Sequence, residues 1–296
     1  MDGPRREGAG ADILSLLRKT ANRRGKTVKE YLDIRDGART ERIAKALFFI
    51  ENNQESCYIR EFSIRHFGDS KVFEDSLGVI GKIMRQFCPK FADLDTEEIL
   101  AEYQIYRMPD YVYLKGEGIL LLAGKDEAAV ELPLFKQGIG ISGADIDGGR
   151  ICGKSHIKQV ITIENLTTFF RWEEAESLII YLGGYHNSVR RQLLLRVYRQ
   201  FPDARYLHFG DIDVGGFRIY QDLCQKTQIP FQTYHMGIRE LEIYGASTRK
   251  LTDNDKKGLK LLIEKEQAGA GENLEVLLYM QEKGVKLEQE AVRICS

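Results

Sequence analysis

The sequence predicts an α/β C-terminal domain, a small parallel sheet flanked by helices, preceded by a smaller α+β domain. Three observations predict this. From residue 159 onward, short apolar runs of strand type alternate with amphipathic helical stretches, which is the pattern of parallel strands joined by helices. Residues 39–135 instead show helical periodicity first and a period of two afterwards. The Gly-rich residues 136–158 separate the two patterns and are predicted to be a linker.

The composition of the chain excludes several classes of protein. Its 296 residues suffice for two domains with apolar cores. The net charge of −1 means that a nucleic-acid partner requires locally clustered basic residues. The longest apolar runs are about five residues long, far short of a membrane span. The five cysteines have no CxxC spacing that would favour zinc. We therefore expect a cytoplasmic protein with reduced thiols and no membrane contact.

Residues 1–38 are predicted to be a basic N-terminal segment, too short for a domain and a candidate remnant of a longer arm. The stretch from Arg18 to Lys29 contains six basic residues and no acidic one: Arg18, Lys19, Arg23, Arg24, Lys26 and Lys29. Such a run either contacts DNA phosphates or forms a solvated helix and loop. Both interpretations stay open.

Residues 39–135 are predicted to form a helix-turn-helix followed by a β-hairpin. One apolar helical face comprises Ile43, Ala46, Leu47 and Ile50, a second helix spans Arg60–Phe67, and a third spans Lys71–Phe87. The hairpin is predicted from Tyr111–Leu114 and Ile119–Ala123, on either side of a turn with two glycines. This order predicts a winged-helix domain that binds DNA. Because the third helix is not strongly basic, a structural or dimerisation domain of the same shape is an equal alternative.

The C-terminal domain, residues 159–296, is predicted to alternate strands and helices. The predicted strands are 160–163, 178–182, 206–209 and 231–235, and the predicted helices include 187–200, 217–226, 253–267 and 272–283. A further helix starts after Glu164, with Thr167 or Thr168 as its N-cap. The helix 187–200 carries four arginines that we expect to contact DNA phosphates together with the basic N-terminal segment: Arg190, Arg191, Arg196 and Arg199.

The stretch from Tyr206 to Gly216 is the centre of the candidate site. Its apolar strand stops at Gly210 and is followed by Asp211 and Asp213, two residues apart. The carboxyl ends of parallel strands are where α/β proteins place their sites. Two carboxylates that face the same way repel each other, so a hard divalent cation such as Mg²⁺ is the expected companion.

Other interpretations of this acidic turn are weaker. An EF-hand loop has Glu at its twelfth position and is not preceded by a strand. Here the twelfth position is Asp222, and a predicted strand precedes the loop. A haloacid-dehalogenase-like phosphotransferase requires an apolar strand before its later acidic residues, whereas a poor strand precedes Asp253. It stays a minor alternative. A helix-capping turn is the default for an isolated Asp-x-Asp. A second such pair, Asp145 and Asp147, follows no apolar strand and is predicted to lie in a loop.

A third carboxylate favours a functional site over a capping turn. Glu164 ends the first predicted strand of the domain, and Asp211 and Asp213 follow the third. If these strands are neighbours that end at the same edge, the three side chains share one pocket. Such a pocket would hold one or two Mg²⁺ or Mn²⁺ ions, which activate water and neutralise charge on a phosphodiester.

Several longer motifs resemble the JetD family of bacterial Wadjet anti-plasmid systems. They are Phe-Gly-Asp-Ser-Lys (67–71), Ala-Glu-Tyr-Gln-Ile-Tyr-Arg-Met-Pro-Asp-Tyr-Val-Tyr-Leu-Lys-Gly (101–116), Val-Ile-Thr-Ile-Glu-Asn-Leu-Thr-Thr-Phe (160–169), Leu-Gly-Gly-Tyr-His (182–186), His-Phe-Gly-Asp-Ile-Asp-Val-Gly-Gly (208–216) and the closing Leu-Glu-Gln-Glu (287–290). The resemblance covers roughly residues 39–296, and a chance match of several motifs in the same order is improbable.

The resemblance implies a winged-helix domain followed by a Toprim domain, as in the A subunit of topoisomerase VI. It implies a Mg²⁺-dependent endonuclease that acts as a homodimer on double-stranded DNA with an SMC-kleisin-type complex. Glu164, Asp211 and Asp213 would be the catalytic and metal-holding residues, and Glu290 a further catalytic candidate. The alternative is a DNA-binding or structural subunit whose Toprim site is inactive.

Two departures from the family pattern bear on the chemistry. Topoisomerase VI relatives attack DNA with a tyrosine near the second helix, but Arg60–Phe67 contains none. Tyr58 lies just before that helix, and we expect it to pack in the core. We therefore expect a metal-activated water to be the nucleophile. The family usually carries a large arm domain where this sequence has residues 1–38.

Overall fold

The chain folds into two compact units in a computed structural model, residues 1–109 and residues 110–296. The structure describes residues 36–92, 94–107, 111–122, 129–153, 157–184, 188–269 and 271–293. The predicted basic segment from Arg18 to Lys29 lies outside the described residues, and its DNA contacts stay a prediction.

The first unit is mainly helical. Its elements are α1 (Gly37–Glu51), β1 (Cys57–Tyr58), α2 (Ile59–Phe67), α3 (Leu77–Phe87), α4 (Thr96–Ala101) and β2 (Ile105–Tyr106). The two short strands pair in parallel. Short 3-10 turns, Glu74–Ser76 and Pro89–Phe91, flank the third helix.

The apolar patterns of this unit predict its buried faces well. The predicted face of α1 is buried at all four positions. The N-cap of the helix is Asp36, whose Oδ1 accepts a hydrogen bond from Arg39 N. The third helix begins at Leu77 rather than at Lys71, because the residues between them form a turn and a 3-10 segment. The core of the unit centres on Phe62 and Phe73, both fully buried.

The second unit contains eleven strands and seven helices within its described residues. The strands are β3 (Tyr111–Gly116), β4 (Ile119–Leu121), β5 (Ala129–Glu131), β6 (Ile139–Ser142), β7 (Arg150–Cys152), β8 (Gln159–Ile163), β9 (Ser177–Tyr181), β10 (Arg205–Phe209), β11 (Gln232–Thr233), β12 (Arg249–Lys250) and β13 (Val285–Lys286). The helices are α5 (Gly143–Ile146), α6 (Leu166–Arg171), α7 (Ser188–Gln200), α8 (Val214–Thr227), α9 (Ile238–Ile243), α10 (Asp253–Gly269) and α11 (Leu274–Lys283). None of these helices, nor those of the first unit, is both long and apolar enough to cross a membrane.

A six-stranded sheet of order β11-β10-β8-β9-β3-β6 forms the centre of this unit. The four strands predicted from the alternating pattern pair in parallel, with Ile163 opposite Phe209. The remaining two, β3 and β6, are antiparallel additions at one side. The predicted α/β class is therefore confirmed, with a mixed rather than purely parallel sheet.

Both faces of the sheet are covered, which explains why its central strands are apolar at nearly every position. On β8, Ile161 and Ile163 pack into one apolar cluster with α10 and α11. Val160, the residue before Ile161, packs into the opposite cluster with α7. Each such fully buried side chain contributes about 1.5–3 kcal/mol to folding.

The predicted hairpin of Tyr111–Leu114 with Ile119–Ala123 is wrong. β3 pairs antiparallel with β6 and β9 of the six-stranded sheet, and β4 pairs with β5 and β7 in a separate three-stranded sheet. The apolar side chains of β3, Val112 and Leu114, are fully buried in the cluster that also holds Ile180. Alternation shows that a segment is a half-buried strand but does not specify its neighbour.

The predicted linker, residues 136–158, contains regular structure. It holds β6, α5 and β7, and Asp145 lies in the first turn of α5, after the N-cap Ser142. The prediction of a loop is therefore wrong for Asp145, which lies in this helix, whereas Asp147 follows the helix as its C-cap. A short helix of four residues is below the length that periodicity can detect.

Candidate active site

The acidic edge of the sheet is formed where β8 and β10 end side by side. Because Ile163 lies opposite Phe209, the next residues, Glu164 and Gly210, leave the sheet at the same edge. The backbone N–H of Glu164 donates to Phe209 O over 3.0 Å. Asp211 N then donates to Glu164 Oε2 over 3.3 Å. The fold thus brings the first two predicted carboxylates together.

Two glycines permit this close approach. A Cβ atom on Gly210 would lie 2.6 Å from Glu164 Oε2 and 3.0 Å from His208 Nε2. A Cβ atom on Gly216 would overlap the carbonyl oxygen of Asp211. Any side chain at these positions would therefore displace the acidic residues or the backbone that carries them.

Asp213 caps the helix that follows the acidic turn. Its Oδ1 accepts a hydrogen bond from Gly216 N over 2.8 Å at the start of α8. The capping interpretation of the turn is thus correct for Asp213, although it does not account for Asp211. A carboxylate at this end of a helix is also stabilised by the helix dipole.

The C-terminal tail completes the acidic edge through Gln289, a residue that the sequence did not single out. Gln289 is 1% exposed. Its backbone N–H donates to Asp211 Oδ1 over 2.8 Å, and its side-chain Nε2 donates to Phe209 O over 2.7 Å. Its Oε1 accepts from Asn165 N over 2.8 Å. One buried amide therefore joins the ends of β8 and β10. The only sequence signal was its place in the closing Leu-Glu-Gln-Glu motif.

Glu290, the additional catalytic candidate, lies at the rim of the same edge. Its Oε1 accepts from Asn165 Nδ2 over 2.6 Å, and its carbonyl oxygen accepts from Arg171 Nη2 over 3.3 Å. Asn165 is also the N-cap of α6, through Thr168 N. The prediction that Thr167 or Thr168 caps this helix is wrong, because Asn165 precedes them and its side chain reaches the same N–H.

Burial and mutual repulsion raise the pKa of two of the carboxyls. Burial, followed by the charge of Asp211, raises the pKa of Glu164 from 4.5 to about 8, against the Asp211 N–H that lowers it. Burial raises the pKa of Asp211 from 3.8 to about 6, opposed by the Gln289 N–H and reinforced by the charge of Asp213. The edge therefore favours occupation by a proton or a cation.

His208 lies directly behind the acidic edge and is fully buried. Its Nδ1 forms a hydrogen bond of 2.9 Å with Thr162 Oγ1. Burial lowers its pKa to about 3, so the imidazole is neutral. His208 therefore adds no positive charge to offset the carboxylates.

The donor chemistry of the edge fits a hard divalent cation, but its side chains are not gathered into a finished metal site. Across the described residues, no three His, Cys, Asp or Glu side chains are grouped closely enough to hold a metal ion. Glu164, Asp211 and Asp213 nevertheless supply the carboxylate oxygens that Mg²⁺ and Mn²⁺ prefer. The pKa values of Glu164 and Asp211 are raised by burial first and by neighbouring negative charge second.

The segment that carries this edge matches a known family. Residues 150–295 match the family described as Wadjet protein JetD, C-terminal. The similarity to the JetD family in this comparison thus lies in the C-terminal part of the chain. This confirms the resemblance found in the sequence motifs. Every residue of the acidic edge lies within the matched segment.

A curated relative extends the JetD match beyond that segment. Wadjet protein JetD of Bacillus cereus (strain Q1) is 25% identical over 268 residues, which are 88% of this chain and 63% of the relative. The chain thus spans less than two thirds of the length of the curated relative that it matches.

Two of the four arginines predicted to contact DNA are held by groups of their own unit. Arg190 Nη1 donates to Leu182 O over 2.9 Å, and its guanidinium lies 5.6 Å from the centre of the Tyr181 ring. Arg196 Nη2 donates to Ile146 O over 3.0 Å. Arg191 is half-buried and Arg199 is exposed. The DNA contacts of all four stay a prediction.

Tyr58, the alternative nucleophile, lies in the first unit and is 39% exposed. The prediction that it packs in the core is wrong. Its neighbour Cys57 is 4% exposed, and successive side chains of a strand point to opposite faces, which turns Tyr58 outward. It is also the N-cap residue of α2, and its backbone N–H donates to Glu61 Oε2 over 2.8 Å.

Proposed function

We propose that this chain is a divalent-metal-dependent endonuclease of a Wadjet-type defence system, which cuts plasmid or phage DNA at the acidic edge. The observation that carries the proposal is the hydrogen bond from Asp211 N to Glu164 Oε2, within the segment that matches the JetD family. It joins the backbone of Asp211 to the carboxylate of Glu164 and so brings two acidic residues together at the ends of neighbouring parallel strands, the arrangement expected of a Toprim site.

Glu164, Asp211 and Asp213 are the proposed ligands of one or two Mg²⁺ or Mn²⁺ ions. When bound, the metal would supply an activated water and neutralise charge on the phosphodiester. The chain's own residues orient the ligands. Gln289 holds Asp211 through its backbone N–H, and Gly216 N holds Asp213. Asn165 holds Glu290, a further candidate catalytic residue, at the rim.

For the first unit we propose DNA binding through a winged-helix-like arrangement of α1, α2 and α3. This proposal rests on the order of the helices α1, α2 and α3. The strands predicted to form the wing give it no support, because they belong to the second unit. Double-stranded DNA as substrate, a homodimer as the active form and an SMC-kleisin-type complex as partner follow from the family resemblance. The Wadjet name of the relative supports association with further Wadjet components.

A structural subunit with an idle Toprim site is the second candidate function. It is favoured by the lack, within the described residues, of a ready group of three metal-binding side chains. The haloacid-dehalogenase-like alternative is disfavoured, because the strand before Asp253 is β12, a two-residue strand in a separate two-stranded sheet.

The test combines metal binding with DNA cleavage. Calorimetry with Mg²⁺ or Mn²⁺ on the wild-type chain is compared with Glu164→Gln and Asp211→Asn, and the same proteins are incubated with supercoiled plasmid. Asp203→Asn, an exposed aspartate on the same unit, is the matched control. We expect metal binding and cleavage to be lost together in the two site variants and kept in the control.

Two outcomes would contradict the nuclease. If metal binds equally well to all four proteins, Glu164 and Asp211 are not its ligands. Metal binding that depends on Glu164 and Asp211, without cleavage even when the other Wadjet components are added, would favour the structural subunit.

A further inference from the structure

A cavity of about 120 Å³ opens next to the acidic edge, between α6 and the C-terminal tail. Five residues line it: Thr168, Arg171, Trp172, Val292 and Arg293. The side chains of Thr168 and Trp172 are 1% and 4% exposed and form its interior. The two arginines are exposed at its rim.

The interior of this cavity contains a buried hydroxyl with no partner. Thr168 Oγ1 makes no hydrogen bond with any described residue, although a buried polar atom without a partner costs about 1–3 kcal/mol. Trp172 Nε1 is also buried without a hydrogen bond of normal geometry. The Trp172 side chain lies close to the Tyr234 hydroxyl. Burial raises the pKa of Tyr234, and the nearby Trp172 side chain partly offsets this rise. A polar ligand in the cavity would supply the hydrogen-bond partner that the Thr168 hydroxyl lacks.

The rim of the cavity provides two positive charges that no described carboxylate neutralises. The ion pairs between described residues include neither Arg171 nor Arg293. Arg171 is held in place by its hydrogen bond to Glu290 O. The backbone of Arg293 is fixed by the Tyr244 hydroxyl, which accepts from its N–H and donates to its carbonyl.

Two acidic side chains close in sequence to the lining residues, Glu290 and Glu174, are engaged elsewhere. Glu290 Oε1 accepts from Asn165 Nδ2, and Glu174 Oε2 accepts from the Tyr234 hydroxyl over 2.6 Å. The lining thus consists of N–H and O–H donors, two cations and the apolar Val292. Donors and guanidinium groups without a carboxylate are the chemistry that recognises phosphate.

We propose that this cavity binds a phosphate group. The volume exceeds the roughly 30 Å³ that one water molecule occupies in the liquid, so there is room for a tetrahedral oxyanion. On the proposed function, on which this part of the inference rests, the ligand is a backbone phosphate of the DNA strand that enters the acidic edge. Asn165 links the two places, because its side chain accepts from Thr168 N and donates to Glu290.

The sequence provides a direct reporter of this cavity, because Trp172 is the only tryptophan among the 296 residues. The experiment titrates the full chain with inorganic phosphate at constant ionic strength and follows tryptophan fluorescence, with chloride as the reference anion. We expect a saturable change with phosphate. Arg293→Ala and Arg171→Ala should each weaken binding about tenfold or more, as expected for a lost charge-assisted contact.

Two further variants separate binding from folding. Thr168→Val keeps the shape of the side chain and removes only the hydroxyl, so it should weaken phosphate binding several-fold. Arg239→Ala removes an exposed arginine of the same unit that does not line the cavity, and it should bind phosphate like the wild type. A response that is absent, or equal in Arg293→Ala and Arg239→Ala, would overturn the proposal.

The source of the phosphate is tested separately, in the Asp211→Asn background so that DNA stays uncut. An unlabelled oligonucleotide that displaces inorganic phosphate from the cavity supports the DNA strand as ligand. If the oligonucleotide leaves phosphate binding unchanged, the ligand is not a backbone phosphate of DNA, although the cavity still binds phosphate. Phosphate binding in a chain that never cuts DNA would refute the proposed function and not the cavity.

Discussion

The backbone N–H of Gln289 donates a hydrogen bond to Oδ1 of Asp211, 78 positions earlier in the chain, over 2.8 Å. The antiparallel bridge between Ile212 and Leu287, with hydrogen bonds of 2.8 and 3.1 Å, holds the tail in this position. The acidic edge is therefore complete only when the C-terminal tail is docked.

Gln289→Ala should destabilise the second unit by about 2–4 kcal/mol. The substitution removes the bond from Gln289 Nε2 to Phe209 O, which keeps Glu164 N as its other donor, and a lost hydrogen bond costs about 0.5–1.5 kcal/mol. It also removes the acceptor of Asn165 N, and a polar group left without its partner costs about 1–3 kcal/mol. Urea unfolding followed by the fluorescence of Trp172 measures this unit. Gln192→Ala, at an exposed position on α7, is the control and should change stability by less than about 0.5 kcal/mol. Equal effects of the two substitutions would contradict the bridging role.

Glu164→Gln should stabilise the metal-free protein at pH 8. The pKa of Glu164 is about 8 in the folded state against an ordinary 4.5, so the folded state binds more protons between these values. The stability of the wild type therefore falls as pH rises through that window. Glutamine cannot ionise and escapes this loss, which should amount to a few kcal/mol.

Thermal unfolding in a chelator at pH 4.5, 6 and 8 measures the difference. It should be largest at pH 8 and nearly absent at pH 4.5. A difference that is constant with pH would show that Glu164 is not held at a raised pKa.

Mg²⁺ should stabilise the wild-type chain at pH 8 and have little effect on Asp211→Asn. A ligand that binds only the folded state at 100 times its dissociation constant adds about 2.7 kcal/mol. The effect should shrink at pH 5, because Asp211 and Glu164, with pKa values of about 6 and 8, then carry protons. Differential scanning calorimetry with and without Mg²⁺ gives the shift, and Asp203→Asn should retain it. A shift that survives in Asp211→Asn would place the ion elsewhere.

Gly210→Ala should abolish DNA cleavage and lower stability, because its Cβ would lie 2.6 Å from Glu164 Oε2. Gly245→Ala is the matched control, since a Cβ there would meet nothing within 4 Å. Cleavage assays and thermal unfolding of both variants test this. An active Gly210→Ala protein would mean that the position of Glu164 at the edge is not needed for the reaction.

Tyr58→Phe should leave DNA cleavage unchanged, because hydrolysis by a metal-activated water requires no tyrosine. The measurement uses end-labelled DNA that is denatured after cleavage and examined for label attached to protein. Because Tyr58 is exposed, its hydroxyl is accessible to DNA, and the experiment therefore distinguishes hydrolysis from attack by this tyrosine. An adduct that protease releases and that disappears in Tyr58→Phe would assign transesterification instead.

The sequence by itself determined the elements of the parallel sheet and the ends of its strands. Glu164 and Asp211 were predicted at strand ends and lie there, because apolar runs and the glycines that stop them are local signals. The buried face of α1 was predictable for the same reason, since a helical period shows which side chains share a face.

Only the tertiary structure decided which strand lies beside which and what reaches the acidic edge. The antiparallel pairing of β3 with β9 and the docking of Gln289 on Asp211 join residues far apart in the chain. The exposure of Tyr58 and the choice of Asn165 as helix cap likewise depend on where the backbone points. Periodicity describes one segment at a time, whereas pairing and docking are set by the apolar area and hydrogen bonds that distant segments share.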